Sequence, residues 1–362
     1  MRSGFRRTLQ VLPTFCDEVF CMRFAVSALF LLLVGCSLFL IACGGGSTQS
    51  QTPPPPPPPP SPNQLGTATA ASAGCPTSPI AGTCMSLTLV CPNVPDYLDA
   101  MIKISQPNGT SKGTVIFTVG GAGNDLYETH FTYGAVAVSD VVAAGFTVVQ
   151  TAFTGGSAGW LTGPAADGPL TLSCRWATLA QWVHDNVLQK NTAFCATGNS
   201  AGAGAIAYAL SRYGEDSLFN YVEPTGGPPF SRIDEGCICN HAMINTSCAG
   251  PVDPCYGLNA NMFLDPAYGN NHCSSGDTND IPLWQADSIL SSDGKSVLNY
   301  STRVEFILGG QDTTPGVANA ALWQQAITST NSYQCVADAP HEIADVMDGA
   351  TTVANQLIQN CH

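Results

Sequence analysis

Residues 194–210 constrain this chain more than any other segment. The short apolar run Phe194-Cys195-Ala196-Thr197 leads into Gly198-Asn199-Ser200-Ala201-Gly202 and then a series of small helix formers ending at Leu210. A strand that turns this abruptly into a helix forces the residue at the turn into a tight, exposed bend. Glycines two positions before and after it leave room for neighbouring backbone. The Ser200 hydroxyl then projects into a cleft, and the first-turn amides of the helix point at the same place. Gly155-Gly156-Ser157-Ala158-Gly159 repeats the pattern. There Gly163 and Pro164 end any helix within a turn, so Ser157 reads as a loop serine and Ser200 as the candidate nucleophile.

The rest of the chain supplies a sheet for that elbow. Apolar runs at 85–90 and 100–105 read as opening strands, and 114–119 as a strand buried on both faces, ending in Gly120-Gly121-Ala122-Gly123. A helix over 136–144, a strand over 146–150 and a helix over 173–188 precede the elbow. A strand over 219–222 follows it. A strand over 303–308, a helix over 318–327, a strand over 333–336 and a helix over 342–358 close the domain. This alternation predicts an α/β fold, a mostly parallel sheet with helices on both faces. Active sites in such sheets lie at the carboxyl ends of the strands.

The amino-terminal part has a different composition. An apolar run over 24–41 ends in Leu40-Ile41-Ala42-Cys43 and is followed by Gly44-Gly45-Gly46-Ser47. It resembles a bacterial lipoprotein signal peptide, in which the cysteine after a small residue is acylated. Cys36 matches as well, but cleavage there would leave an apolar stub, which favours Cys43. Asp17 and Glu18 oppose a positive leader, whereas a start at Met22 with Arg23 gives an ordinary one. The expected organisation is a signal peptide over 1–42 and a lipid-anchored, proline-rich linker over 43–73. A domain over 74–362 follows, with a cap insertion at about 228–300. The prolines at 53–60 form a stiff polyproline spacer, and the expected location is the bacterial cell envelope.

The formal net charge is −14, and −16 once residues 1–43 are set aside. So acidic a chain offers no footprint for nucleic acid, and no attraction to anionic lipid beyond that of an attached acyl group. Twelve cysteines follow Cys43, an even number in an exported chain, which suggests disulfides. Five fall between Cys237 and Cys273, where bridges would hold a loop-rich insertion together. A zinc site from Cys237, Cys239, His241 and Cys248 is the rival, disfavoured by its Cys-x-Cys spacing. Cys335 and Cys361 are expected to pair; Cys195 reads equally as a buried free thiol.

A serine hydroxyl needs a base to take its proton and a third group to orient that base. Of six histidines, His341 sits in a short loop directly after the last strand, within Ala339-Pro340-His341-Glu342. The acid should follow a strand and precede the histidine. Asp312 does so after Phe306-Ile307-Leu308-Gly309-Gly310-Gln311, with Glu223 and then Asp338 as alternatives. Ser200, Asp312 and His341 thus occur in the order Ser…Asp…His, each after a strand.

Over about residues 85–360 this pattern resembles the α/β-hydrolase superfamily, in particular its serine esterases. The resemblance implies an oxyanion hole made by the amide of Ala201 with that of Gly121 or Ala122. Many esterases of the superfamily carry a histidine before those glycines; Val119 stands there in this chain. The implied activity is hydrolysis of carboxylic esters through an acyl-enzyme, with no metal or organic cofactor. Trp284 and Phe263 of the cap are candidates for the pocket wall. A peptidase or amidase with the same triad, and a non-catalytic lipid-anchored binding protein on a hydrolase scaffold, are the alternatives. Acyl and alcohol specificity, disulfide connectivity and oligomeric state are open from sequence.

Overall fold

A computed structural model describes residues 63–121, 123–154, 159–161 and 168–362. The signal segment 1–42, the alternative start Met22, Cys43, the proline tract, Ala122 and Ser157 lie outside the described residues.

The apolar runs become strands: β1 (Thr67–Ala73), β2 (Thr83–Val90), β3 (Leu98–Ser105), β4 (Gly113–Thr118), β5 (Thr147–Phe153), β6 (Ala193–Asn199), β7 (Tyr221–Thr225), β8 (Ile244–Thr246), β9 (Gly250–Val252), β10 (Arg303–Gly309) and β11 (Asn331–Val336). Nine of them form one sheet in the order β1-β2-β3-β5-β4-β6-β7-β10-β11. From β5 to β11 all neighbours are parallel, and β1, β2 and β3 extend the sheet by antiparallel pairing. Every residue of β4, β5, β6 and β7 is buried, as expected for parallel strands covered on both faces.

The two-residue period sorts side chains between those faces. Val115, Phe117, Val148, Cys195 and Ile307 pack under helices Gly134–Ala143 and Met347–Asn360. Ile116, Val149, Phe194, Ala196 and Phe306 pack under helices Cys174–Asn186, Ala201–Arg212 and Pro315–Ala326. Phe117 and Phe306 are fully buried. Each such side chain contributes about 2–3 kcal/mol of hydrophobic stabilisation.

Three expectations need correction. The domain begins before residue 74, because β1 lies in the segment read as linker and pairs with β2 from Thr67↔Val90 to Ala73↔Cys84. Its sequence, Thr-Ala-Thr-Ala-Ala-Ser-Ala, is mostly exposed and has no apolar alternation to reveal it. Main-chain pairing at the sheet edge holds it in place. The final helix begins later than residue 342: a single turn at Ile343–Asp345 and an extended Val346 come first.

The third correction concerns sulfur. Cys335 and Cys361 do not pair. The bridges are Cys75–Cys84, Cys91–Cys174, Cys195–Cys361, Cys237–Cys273, Cys239–Cys255 and Cys248–Cys335. The last helix lies on the sheet face where Cys195 points, so Cys361 meets the elbow strand rather than the edge strand. The edge Cys335 is reached by Cys248 of the cap. Cys237, Cys239 and Cys248, the thiols of the rival zinc reading, are all consumed in bridges.

Cys195–Cys361 closes a 166-residue separation between two buried sulfurs. Loop-closure entropy for that length predicts a loss of about 5 kcal/mol in the Cys195→Ala/Cys361→Ala double variant. A fall in Tm of roughly 10–15 °C is expected. An unchanged melting temperature would mean that apolar packing alone holds the last helix.

The insertion seats itself on the elbow helix. Phe230 stacks on Tyr208, ring centroids 6.0 Å apart. The Tyr208 hydroxyl donates to the Asp287 carbonyl at 2.9 Å, and Arg212 Nη1 donates to the Ala286 and Ser288 carbonyls at 3.0 Å. On the neighbouring helix the Asn319 carbonyl accepts from Ser231 Oγ at 2.7 Å.

Candidate active site

The end of β6 turns directly into the helix Ala201–Arg212. Ser200 has φ 52° and ψ −116°, a left-handed conformation costly for any residue with a Cβ. Its N–H donates to the Thr225 carbonyl of β7 at 2.8 Å, and its carbonyl accepts from Gly204 N–H at 3.0 Å as the helix starts. The two flanking glycines are required by close approach. A Cβ on Gly198 would lie 2.7 Å from the Gly202 carbonyl carbon, and one on Gly202 would lie 2.7 Å from the Val119 carbonyl oxygen. The motif spacing is therefore a packing requirement between β4, β6 and the helix.

Asp312 and His341 meet beyond the ends of β10 and β11. His341 Nδ1–H donates to Asp312 Oδ2 at 2.9 Å, and the Asp312 carboxylate is fully buried. The Thr314 N–H donates to Asp312 Oδ1 at 2.8 Å, so both carboxylate oxygens are engaged. Thr314 Oγ1 lies 3.0 Å from the same Nδ1. Sequence reasoning missed Thr314. The signal was its place two residues after an aspartate, where an amide commonly closes on the carboxylate.

Two opposing influences act on the imidazole. Burial works against its charged form, but the hydrogen bond and charge of Asp312, with the charge of Glu342, outweigh it. The net result is a His341 pKa above the ordinary value.

Ser200, Gly121 and His341 line one pocket of about 350 Å³. Phe263 and Met262 come from the cap helix Ala260–Tyr268, and Pro315 and Gly316 begin the helix after Asp312. Trp284, the other cap aromatic expected at the wall, is fully buried and does not reach it. Met262 and Pro229 were not foreseen, because only tertiary packing of the cap brings them there.

The oxyanion candidates divide. Ala201 is the first residue of its helix, where main-chain N–H groups lack an intrahelical acceptor. Gly121 reaches the pocket with φ 56°. Ala122 is outside the described residues.

The alternative acids lie elsewhere. Glu223 is fully buried on β7 and accepts from the Tyr221 hydroxyl at 3.0 Å; burial pushes its carboxyl well above the usual carboxylate range. Asp338 is exposed and lines a different depression. The remaining described histidines are also absent from the pocket lining. His130 meets Asp125, His184 meets Asp185, and His272 meets Asp280.

An elbow serine at the carboxyl end of a central parallel strand, with acid and histidine following in chain order after later strands, makes this fold α/β-hydrolase-like. No protein-family model matches the sequence, and no curated protein matches it either. The chain is similar to solved structures that include Est1E from Butyrivibrio proteoclasticus, at 11% sequence identity and TM-score 0.46, covering 77% of this chain and 99% of that one. Dienelactone hydrolase from Anabaena variabilis is 13% identical with TM-score 0.43, over 82% of this chain and 97% of that one. An esterase from Pyrococcus furiosus is 12% identical with TM-score 0.47, over 83% and 100%.

Proposed function

We propose that this protein is a serine hydrolase of carboxylic esters, exported and held to the cell envelope by a lipid on Cys43. The observation that carries the enzymatic reading is the strained Ser200 turn in one pocket with His341, whose Nδ1 is bound to buried Asp312. With Nδ1–H committed to Asp312, Nε2 is left as the base. It takes the Ser200 proton as Oγ attacks the ester carbonyl, and it returns that proton to the departing alcohol. The Ala201 and Gly121 amides stabilise the developing oxyanion. Water, activated by the same histidine, then releases the acid and regenerates Ser200.

The anchor reading is supported by Leu40-Ile41-Ala42-Cys43 and the proline spacer behind it.

Fluorophosphonate labelling followed by peptide mapping, with hydrolysis of p-nitrophenyl acyl esters in parallel, tests the catalytic claim. The label is expected on the peptide containing Ser200. A folded protein that neither labels nor turns over any ester would refute the reading. Metabolic labelling with a fatty-acid analogue tests Cys43, and incorporation is expected to vanish in Cys43→Ala.

A further inference from the structure

We infer that the pocket selects esters by the charge of their alcohol part, favouring cationic alcohols and rejecting anionic ones, and that Glu342 sets this preference. The inference rests on the ester-hydrolase reading and goes beyond it to substrate class. Among the described residues that line the pocket Glu342 is the only carboxylate, and none is a lysine or arginine. It is half-buried, and among the described residues its side chain makes no hydrogen bond or ion pair. The carboxylate is close enough to His341 to raise the basicity of the imidazole. Behind it stands Asp312, a second carboxylate whose partner is that same imidazole.

Position decides which part of the substrate is selected. The histidine that takes the serine proton returns it to the leaving alcohol, so the wall beside that histidine borders the alcohol. Glu342 directly follows His341 and occupies that wall. Phe263 and Met262 line the same pocket, an aromatic ring and a thioether that are favourable neighbours for an ammonium group. A partly solvated carboxylate on the pocket wall is worth roughly a tenfold rate difference per unit of substrate charge.

The experiment compares kcat/KM for butyrylthiocholine, its neutral tert-butyl isostere and a carboxylate-bearing isostere of equal length. This parameter reports acylation, the step at which the charged thiol is still attached. The expected order is cationic, neutral, anionic, with about tenfold steps that narrow as ionic strength rises. In Glu342→Gln the spread is expected to shrink about tenfold per step, to what leaving-group reactivity and the general field of the protein leave. Any change in His341 basicity acts on all three substrates alike and cancels in their ratio. The general field of an acidic protein would survive the substitution, so persistence of the full ranking in Glu342→Gln overturns the assignment to Glu342. Equal values in the wild-type protein, or a ranking insensitive to salt, overturn the inference without the variant. Absence of turnover with all three overturns the ester-hydrolase reading and this inference with it.

Discussion

Ser200→Ala is expected to reduce kcat on the order of 10⁶-fold, the scale of loss when a nucleophile that acts as part of a unit is removed. The protein should stay folded. The hydrogen bonds that hold the elbow are main-chain, from Ser200 N–H to Thr225 and from Gly204 N–H to Ser200, and neither uses Oγ. Ser200→Gly separates catalysis from strain more sharply. Glycine adopts φ 52° readily, so this variant should be equally inactive yet more stable, by about 1 kcal/mol. Activity assays paired with denaturant titration check both. An inactive variant with lowered stability would point to a structural role for the hydroxyl.

The second large effect is expected at Asp312. Asp312→Asn keeps the volume, but with its remaining oxygen held by the Thr314 N–H it turns an NH2 donor toward His341 Nδ1, favouring the wrong imidazole tautomer. A fall in kcat of about 10³–10⁴-fold is expected. The pH profile should move as well. In the native protein His341 is held above its ordinary pKa, so the neutral base is lost, and activity declines, as pH falls through that raised value. Asp312 supplies most of the upward push against burial. Without it burial prevails, and the residual activity should persist to lower pH. A rate loss with an unmoved acid limb would mean that Asp312 does not govern the imidazole. The bell or sigmoid in kcat/KM reports this directly.

The placement of the candidate site residues was legible in sequence because strand ends and chain order carry it. Gly198 meets Gly202 within the elbow itself, and Gly202 meets Val119 at the end of the adjacent strand, so the spacing that frames Ser200 shows in the sequence even though part of its cause is tertiary. Asp312 and His341 follow strands whose apolar runs are unmistakable, and chain order does the rest. What sequence hid was set by packing between distant segments. Glu223 also ends a strand, but it is buried on β7 against the Tyr221 hydroxyl, and burial pushes its carboxyl well above the usual range. Phe263 and Trp284 are both cap aromatics, yet only the first faces the pocket, since helix rotation within the insertion decides the matter. Cysteine partners depended on which sheet face each helix covers. β1, built from small residues, carried no hydrophobic signal at all.

The cap is stitched internally by Cys237–Cys273 and Cys239–Cys255 and fastened to β11 by Cys248–Cys335. A part riveted in this way serves as a mould more than as a door. The bridges limit how far the cap can swing away from the sheet, so the depth of the pocket is largely set by the fold. Met262 and Phe263 project from that fixed frame. Met262 is largely exposed and can be exchanged at little structural cost, whereas Phe263 packs on Phe230 and Tyr256 and is tied through Phe230 to the elbow helix.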